Sequence, residues 1–311
     1  MKKRTAFTMI ELVMVIVVLG IVASIGAEII TKLYENYLRT RAINYLQSQT
    51  EITLEQIAKR LQYRIKDSVR SIDANGVRVT VALPSADADY EIIEWIGISN
   101  ESFLGEHNGT SVVPGWSGLI DMEHANTTFA TQTLETPGSR LDFANDTIKA
   151  LTNNTVAMDG TAGKFPAIIF KGTKPGTFAN YYPPTQTYEN MVICNAFNCA
   201  ANFTTFSLPT GLANLNGNAN GDLYEQYYLV HTAYALVPTG SANDFNLTLR
   251  YNYQPWTGET YANGTATVLA EHVSTFRIRQ DGDVVRIKLC IHDNNQSGNF
   301  DFSACKEKVI Y

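Results

Sequence analysis

The chain is predicted to be α+β, with a long amino-terminal helix that is apolar in its first half, amphipathic in its second, and packed on a mainly antiparallel β head. Three observations carry this expectation. An almost uninterrupted apolar run occupies Leu12 to Ile30, apolar residues at helical spacing continue to Ile72, and period-two alternation recurs from Val77 onward. A helix followed by strands is the order of an α+β fold with segregated layers.

The first element is long enough to cross a bilayer. A spanning helix needs roughly 20 apolar residues, and Phe7 to Ile30 supplies that length with Glu11 and Glu28 as its only ionisable side chains. Lys2, Lys3 and Arg4 stand just before it and nothing equally basic follows closely. This bias predicts a single-pass inner-membrane protein with a cytoplasmic amino terminus and everything after Ile30 exported. An ordinary secretory signal has a shorter apolar core that precedes its small-residue cleavage site. Here the small residue, Ala6, comes before the apolar run. A carboxylate within the bilayer is costly and persists where it has a partner or a task, so Glu11 is either an acid snorkelling to the interface or a functional group.

The segment Ala6-Phe7-Thr8-Met9-Ile10-Glu11-Leu12-Val13 resembles the class III signal of type IV pilins and of the pseudopilins of type II secretion. The resemblance implies cleavage by prepilin peptidase between Ala6 and Phe7, N-methylation of Phe7, and a role for Glu11 in subunit recruitment and assembly. Most members of the family have glycine where this chain has Ala6. Implied partners are prepilin peptidase, other major and minor pilin or pseudopilin subunits, the inner-membrane assembly platform and membrane lipid, with no nucleic acid expected. The implied location is the inner membrane with a periplasmic head before assembly, and a pilus or pseudopilus afterwards. Physically, Glu11 lies one helical turn after Phe7, a rise of about 6 Å. A freed amine can therefore neutralise the carboxylate of its own or an incoming subunit. Residues 1–6 are then the leader and 7–30 the transmembrane helix. Gly20 with Ser24, and Ala23 with Ala27, have the small-xxx-small spacing that lets helices approach; the same residues suit a lipid-facing surface.

Residues 31–73 are read as an amphipathic stalk helix, with Leu33, Tyr37, Leu54, Ile57, Leu61, Ile65, Val69 and Ile72 at helical spacing. No proline precedes Pro84 and no glycine lies between Gly26 and Gly76. One helix could thus run from the membrane to about Ser71, a length of about 100 Å, with Gly76 as its stop signal. Many major pilins carry a proline in the membrane half of this helix, and this chain has none there, leaving Gly20 as the place where it could loosen.

Residues 77–311 are read as the extracytoplasmic β-rich head. Alternating runs occur at Val77 to Leu83, Tyr90 to Ile98, Tyr227 to Val237, Phe245 to Tyr253, Val273 to Arg279 and Val284 to Ile291. Residues 101–222, rich in Asn, Thr, Gly and Ala and broken by prolines, are read as an elaborated insertion of short strands and loops, the kind of surface that carries recognition. Val268-Leu-Ala-Glu-His-Val273, Phe276-Arg-Ile-Arg279, Asp281-Gly-Asp283 and Val284-Val-Arg-Ile-Lys-Leu289 resemble the C-terminal half of J-type minor pseudopilins and W-type minor pilins. That resemblance, with the large head, implies a minor subunit at or near a filament tip. An adhesin-like minor pilin, binding a surface, glycan or DNA through the insertion, is the alternative.

Four cysteines in an exported head can oxidise. Proximity in sequence predicts Cys194–Cys199 and Cys290–Cys305, although four cysteines allow three connectivities. The second bridge resembles the disulfide-bounded region of type IV pilins. No C-x-x-C or paired-histidine motif signals zinc. Within the second bridge, Asp293, Asn295, Ser297, Asn299 and Asp301 place oxygens at alternating positions, with Gly298 sixth, as in a calcium loop. Ala304 stands where such a loop has a bidentate glutamate, so Glu307 or another segment would have to complete the shell; the other reading is an Asx-rich turn. No catalytic spacing is found: His107, His124, His231, His272 and His292 are scattered, and no phosphate loop or nucleophile elbow occurs. The net charge of −6 argues against a broad nucleic-acid face.

Overall fold

The computed structural model describes residues 8–72, 78–80, 92–107, 112–128, 133–171, 182, 191–193, 203–207, 224–241, 243–293 and 302–311. They form an α+β fold: a long apolar amino-terminal helix followed by a mainly antiparallel sheet. Helix α1 spans Met9–Gln62, 54 residues, or about 80 Å at 1.5 Å per residue.

The expectation of one helix reaching residue 73 is corrected here. No glycine or proline stops α1 at Gln62; capture by the sheet does. The Tyr63 carbonyl accepts from the Ile98 amide at 2.7 Å, and the Ile65 amide donates to the Ile96 carbonyl at 2.9 Å. Arg64 is buried and seals the helix end, donating from Nη1 to the Leu61 carbonyl at 2.7 Å and from Nη2 to the Asp283 carbonyl at 2.5 Å. Ile65, Val69 and Ile72 are buried as foreseen, but on extended backbone rather than on a helix. Apolar spacing gave their burial correctly and their conformation wrongly, because both conformations can place such residues in a core.

After α1 the chain forms β1 (Arg70–Ile72), β2 (Arg78–Thr80), β3 (Ile92–Ile98), α2 (Asn100–Leu104), β4 (Glu106–His107), β5 (Val112–Val113) and β6 (Thr133–Glu135). Then come α3 (Leu141–Leu151), β7 (Ala167–Phe170), β8 (Met191–Ile193), β9 (Thr205–Ser207), β10 (Tyr227–Ser241) and β11 (Asp244–Tyr253). The chain ends with β12 (Thr265–Asp281), β13 (Val284–His292) and β14 (Ser303–Ile310). The large sheet runs β14-β13-β12-β11-β10-β3-β1-β2, with β7 also paired to β10 and β8 to β7. β10 to β14 are a meander of sequential antiparallel neighbours.

Alternation along the strands divides the core between the two faces of the sheet. Ile93 and Trp95 of β3, Leu236 of β10 and Leu289 of β13 pack with Leu54, Ile57 and Leu61 of α1. On the other face, Ile96 of β3 and Ala233, Ala235 and Val237 of β10 pack with Tyr253 and Trp256. A third cluster gathers Trp116, Leu141, Ile148, Phe206 and Tyr227. It contains α3, a helix that the reading of residues 101–222 as strands and loops did not foresee. Its signal is Leu141, Ala144, Asn145 and Ile148, buried at i, i+3, i+4 and i+7.

A charged pair lies inside the sheet. Arg70 Nε donates to Glu94 Oε2 at 2.6 Å, the Tyr253 hydroxyl donates to Glu94 Oε1 at 2.8 Å, and the Arg70 guanidinium stacks 3.4 Å from the Tyr182 ring centroid. The Arg70 and Glu94 side chains are only 5% and 1% exposed. Such a pair persists only when hydrogen bonds satisfy its remaining valences, as they do here.

Candidate functional site at the amino-terminal helix

The helix begins at Thr8, the N-cap, whose extended backbone (φ −78°, ψ 149°) turns the chain into the first turn. The Thr8 hydroxyl accepts from the Glu11 amide at 3.4 Å, and Glu11 Oε2 accepts from the Thr8 amide at 3.0 Å and the Thr8 hydroxyl at 2.9 Å. This reciprocal pair is a capping box: it satisfies two of the amide donors that a helix start leaves open. The carboxylate also lies near the positive end of the helix dipole. Sequence reasoning took Glu11 for a recruitment residue and missed its role as a cap, although Thr-x-x-Glu before an apolar run is the signal that announces one.

From Met9 to Leu38 every large apolar side chain of α1 is between 44% and 84% exposed. Soluble monomers rarely leave so long an apolar surface uncovered, and such surfaces mark membrane or protein contacts. Lipid or the helices of other subunits are the two environments that fit. An added Cβ at Gly20 or Gly26 meets nothing within 4 Å, so the lone chain places no steric demand on either glycine. Glu28, the second acid of the span, pairs with Lys32 one turn on at 2.6 Å.

The outer part of α1 is anchored differently. Leu46, Thr50, Thr53, Leu54, Ile57, Ala58 and Leu61 form its buried stripe, with the spacing of a helix lying on a core. Thr53 Oγ1 donates to the Leu269 carbonyl of β12 at 3.3 Å. On the rim, Lys306 and Lys308 of β14 pair with Glu51 and Glu55. The Lys306 hydrogen bond, then its charge, holds the Glu51 carboxyl below its ordinary range. The head thus grips residues 46–61 and leaves residues 9–38 free to be covered by something else.

Ala6 and Phe7 lie outside the described residues, as do Cys194 and Cys199 and, in the candidate calcium loop, Asn295, Ser297, Asn299 and Asp301. Cys290 and Cys305 are joined by a disulfide between directly opposed residues of β13 and β14. Asp293 stands at the base of the loop, its amide donating to the Phe302 carbonyl at 2.8 Å. Glu307 pairs in register with Lys288, four residues along β14 from Ser303 at the hairpin end. Of the five histidines, which sequence left scattered, His272 and His292 converge on Asp244; the convergence depends on pairing three strands and has no local signature.

Residues 1–27 match the family model described as the prokaryotic N-terminal methylation motif. Comparison with curated proteins finds no match, and comparison with solved structures finds none. Residues 1–27 therefore carry the class III prepilin signal, which supports a type IV pilin or pseudopilin precursor, at the head of a pilin-like α+β fold.

Proposed function

We propose that this protein is a minor pilin or pseudopilin, inserted through residues 7–30, cleaved after Ala6 and built into a type IV pilus or type II secretion pseudopilus near its tip. The observation that carries the reading is the division of α1 into a segment exposed from Met9 to Leu38 and a segment buried by the head from Leu46 to Leu61. A helix so divided can exchange lipid for neighbouring helices without disturbing its head. In the assembled state, the Phe7 amine freed by cleavage neutralises Glu11 of its own or an adjacent subunit, and the Thr8 cap keeps the helix start intact while it does so. The large head, with its insertion at 101–222, suits an end position better than a repeating one, where it would crowd a thin filament.

Deleting the gene while retaining the major subunit tests this. Loss of filament initiation is the expected result, and a normal number of filaments refutes it. Normal filament number with lost adherence after removal of residues 101–222 would instead identify an adhesin.

A further inference from the structure

Asp244 opens β11, His272 lies in β12, and His292 ends β13. Asp244 Oδ1 is 3.0 Å from His272 Nδ1 and 3.8 Å from His292 Nε2, and one ligand atom from each of the three residues lies within 4.8 Å of the others. Ligands bound tetrahedrally at 2.0–2.2 Å from a zinc ion are roughly 3.3–3.6 Å apart. The two separations to Asp244 bracket that value, and the third is within 4.8 Å, so side-chain rotation alone can close the set.

The backbone has been bent to bring these groups together. Opposite β11, the register slips between Phe245 paired with Val273 and Leu247 paired with Ala270, and opposite β13 it slips again between Val273 and Thr275. His272 sits inside the first irregularity with φ 55°, a left-handed conformation that costs free energy for a side-chain-bearing residue. Bulges of this kind re-aim a side chain, and this one aims His272 at Asp244. The His292 ring is also incompletely satisfied: its Nδ1 is buried without a hydrogen-bond partner among the described residues. Its Nε2 faces the carboxylate at 3.8 Å, beyond hydrogen-bond reach. A cation held between Nε2 and the carboxylate would bridge that gap.

We propose that Asp244, His272 and His292 form a binding site for a divalent transition-metal ion, zinc being the reference case, with solvent supplying the fourth ligand. Two imidazoles and one carboxylate suit zinc, copper or nickel and are a poor set for calcium or magnesium. The Asp244 side chain is 43% exposed, which leaves the metal a route from solvent. Bound there, the ion staples β11 to β12 and β13, and the last two share a cleft with Leu46 and Gln49 of α1. The proposal is independent of which filament the chain joins.

The test uses the full chain in detergent micelles, titrated with zinc by calorimetry and with cobalt by visible absorption. One ion per chain is expected. Loss of an outer-shell partner alone costs 10–100-fold in affinity, so His272→Asn, His292→Gln and Asp244→Asn, each removing a ligand, should weaken binding on the order of 100-fold. Asparagine is chosen at His272 because it tolerates the left-handed backbone. Binding as tight in folded variants as in the wild type, or no saturable binding by the wild type, overturns the proposal. Should a variant fail to fold, zinc protection of wild-type histidines from diethylpyrocarbonate decides: His272 and His292 are shielded while His124 is not. Equal labelling of all three with and without zinc overturns it.

Discussion

The Glu11 carboxylate lies 3.0 Å from the Thr8 amide and 2.9 Å from the Thr8 hydroxyl, so the acid of the prepilin signal is also the third residue of the helix it begins. Capping needs an acceptor at that position and would be served by glutamine. Assembly through the Phe7 amine, as proposed above, would need the charge.

Glu11→Gln separates these two demands. Insertion and cleavage should remain near wild type because the cap survives. Incorporation into sheared filaments should fall about tenfold or more, the scale of a lost charge pair at an interface. Quantitative immunoblotting of membrane and filament fractions reads both. Wild-type incorporation of the glutamine variant would remove charge from the account.

The Arg70 and Glu94 pair is predicted to be the least tolerant polar position of the head. Glu94→Ala strands a guanidinium that is almost wholly buried and removes the acceptor of the Tyr253 hydroxyl. A loss of about 3–5 kcal/mol is expected, measured by denaturant unfolding. A loss below about 1 kcal/mol, the scale of an exposed pair, would mean that water reaches the site.

His231 should make the head acid-sensitive. Its Nδ1 is 2.8 Å from Ser99 Oγ, and burial lowers its pKa to about 4. The unfolded chain, with a histidine pKa of about 6.5, binds the proton first as pH falls. Its contribution is therefore fully present above about pH 6.5 and is lost progressively as pH drops towards 4, by up to roughly 3 kcal/mol. Melting curves between pH 7 and pH 4 should be steeper in pH for the wild type than for His231→Gln; parallel curves would contradict this.

The Cys290–Cys305 bridge closes a loop with a sequence separation of 15. Replacing both cysteines with serine should lower stability by about 3 kcal/mol in the chain-entropy description. The meander itself should persist, because β13 and β14 remain paired along their length. Thermal unfolding of the oxidised wild type against the double variant measures the loss. Equal midpoints would show that the hairpin orders itself without the bridge.

Much of the fold was legible because its causes are local. Leu12 to Ile30 advertises a spanning helix by composition, and the strands at β3, β10, β11 and β13 advertise themselves by alternation. The last strand, β14, was not foreseen, and neither was α3, whose short apolar pattern is embedded in an Asn- and Thr-rich tract. The end of α1 at Gln62 was misread because nothing in Tyr63 to Ile65 breaks a helix; the backbone of β3 competes for their hydrogen bonds and wins.

What the sequence determined by itself is the prepilin signal and the helix behind it: a basic head, Ala6 before Phe7, Glu11, and a run too apolar to remain in water. These act through covalent order and composition, which need no partner in space. Only the tertiary structure decided where α1 lets go of helical form, that Arg70 finds Glu94, and that Asp244, His272 and His292 meet across three strands. The reason is register: shifting one strand by one residue would turn its side chains to the other face, and register is a property of the paired sheet rather than of any one segment.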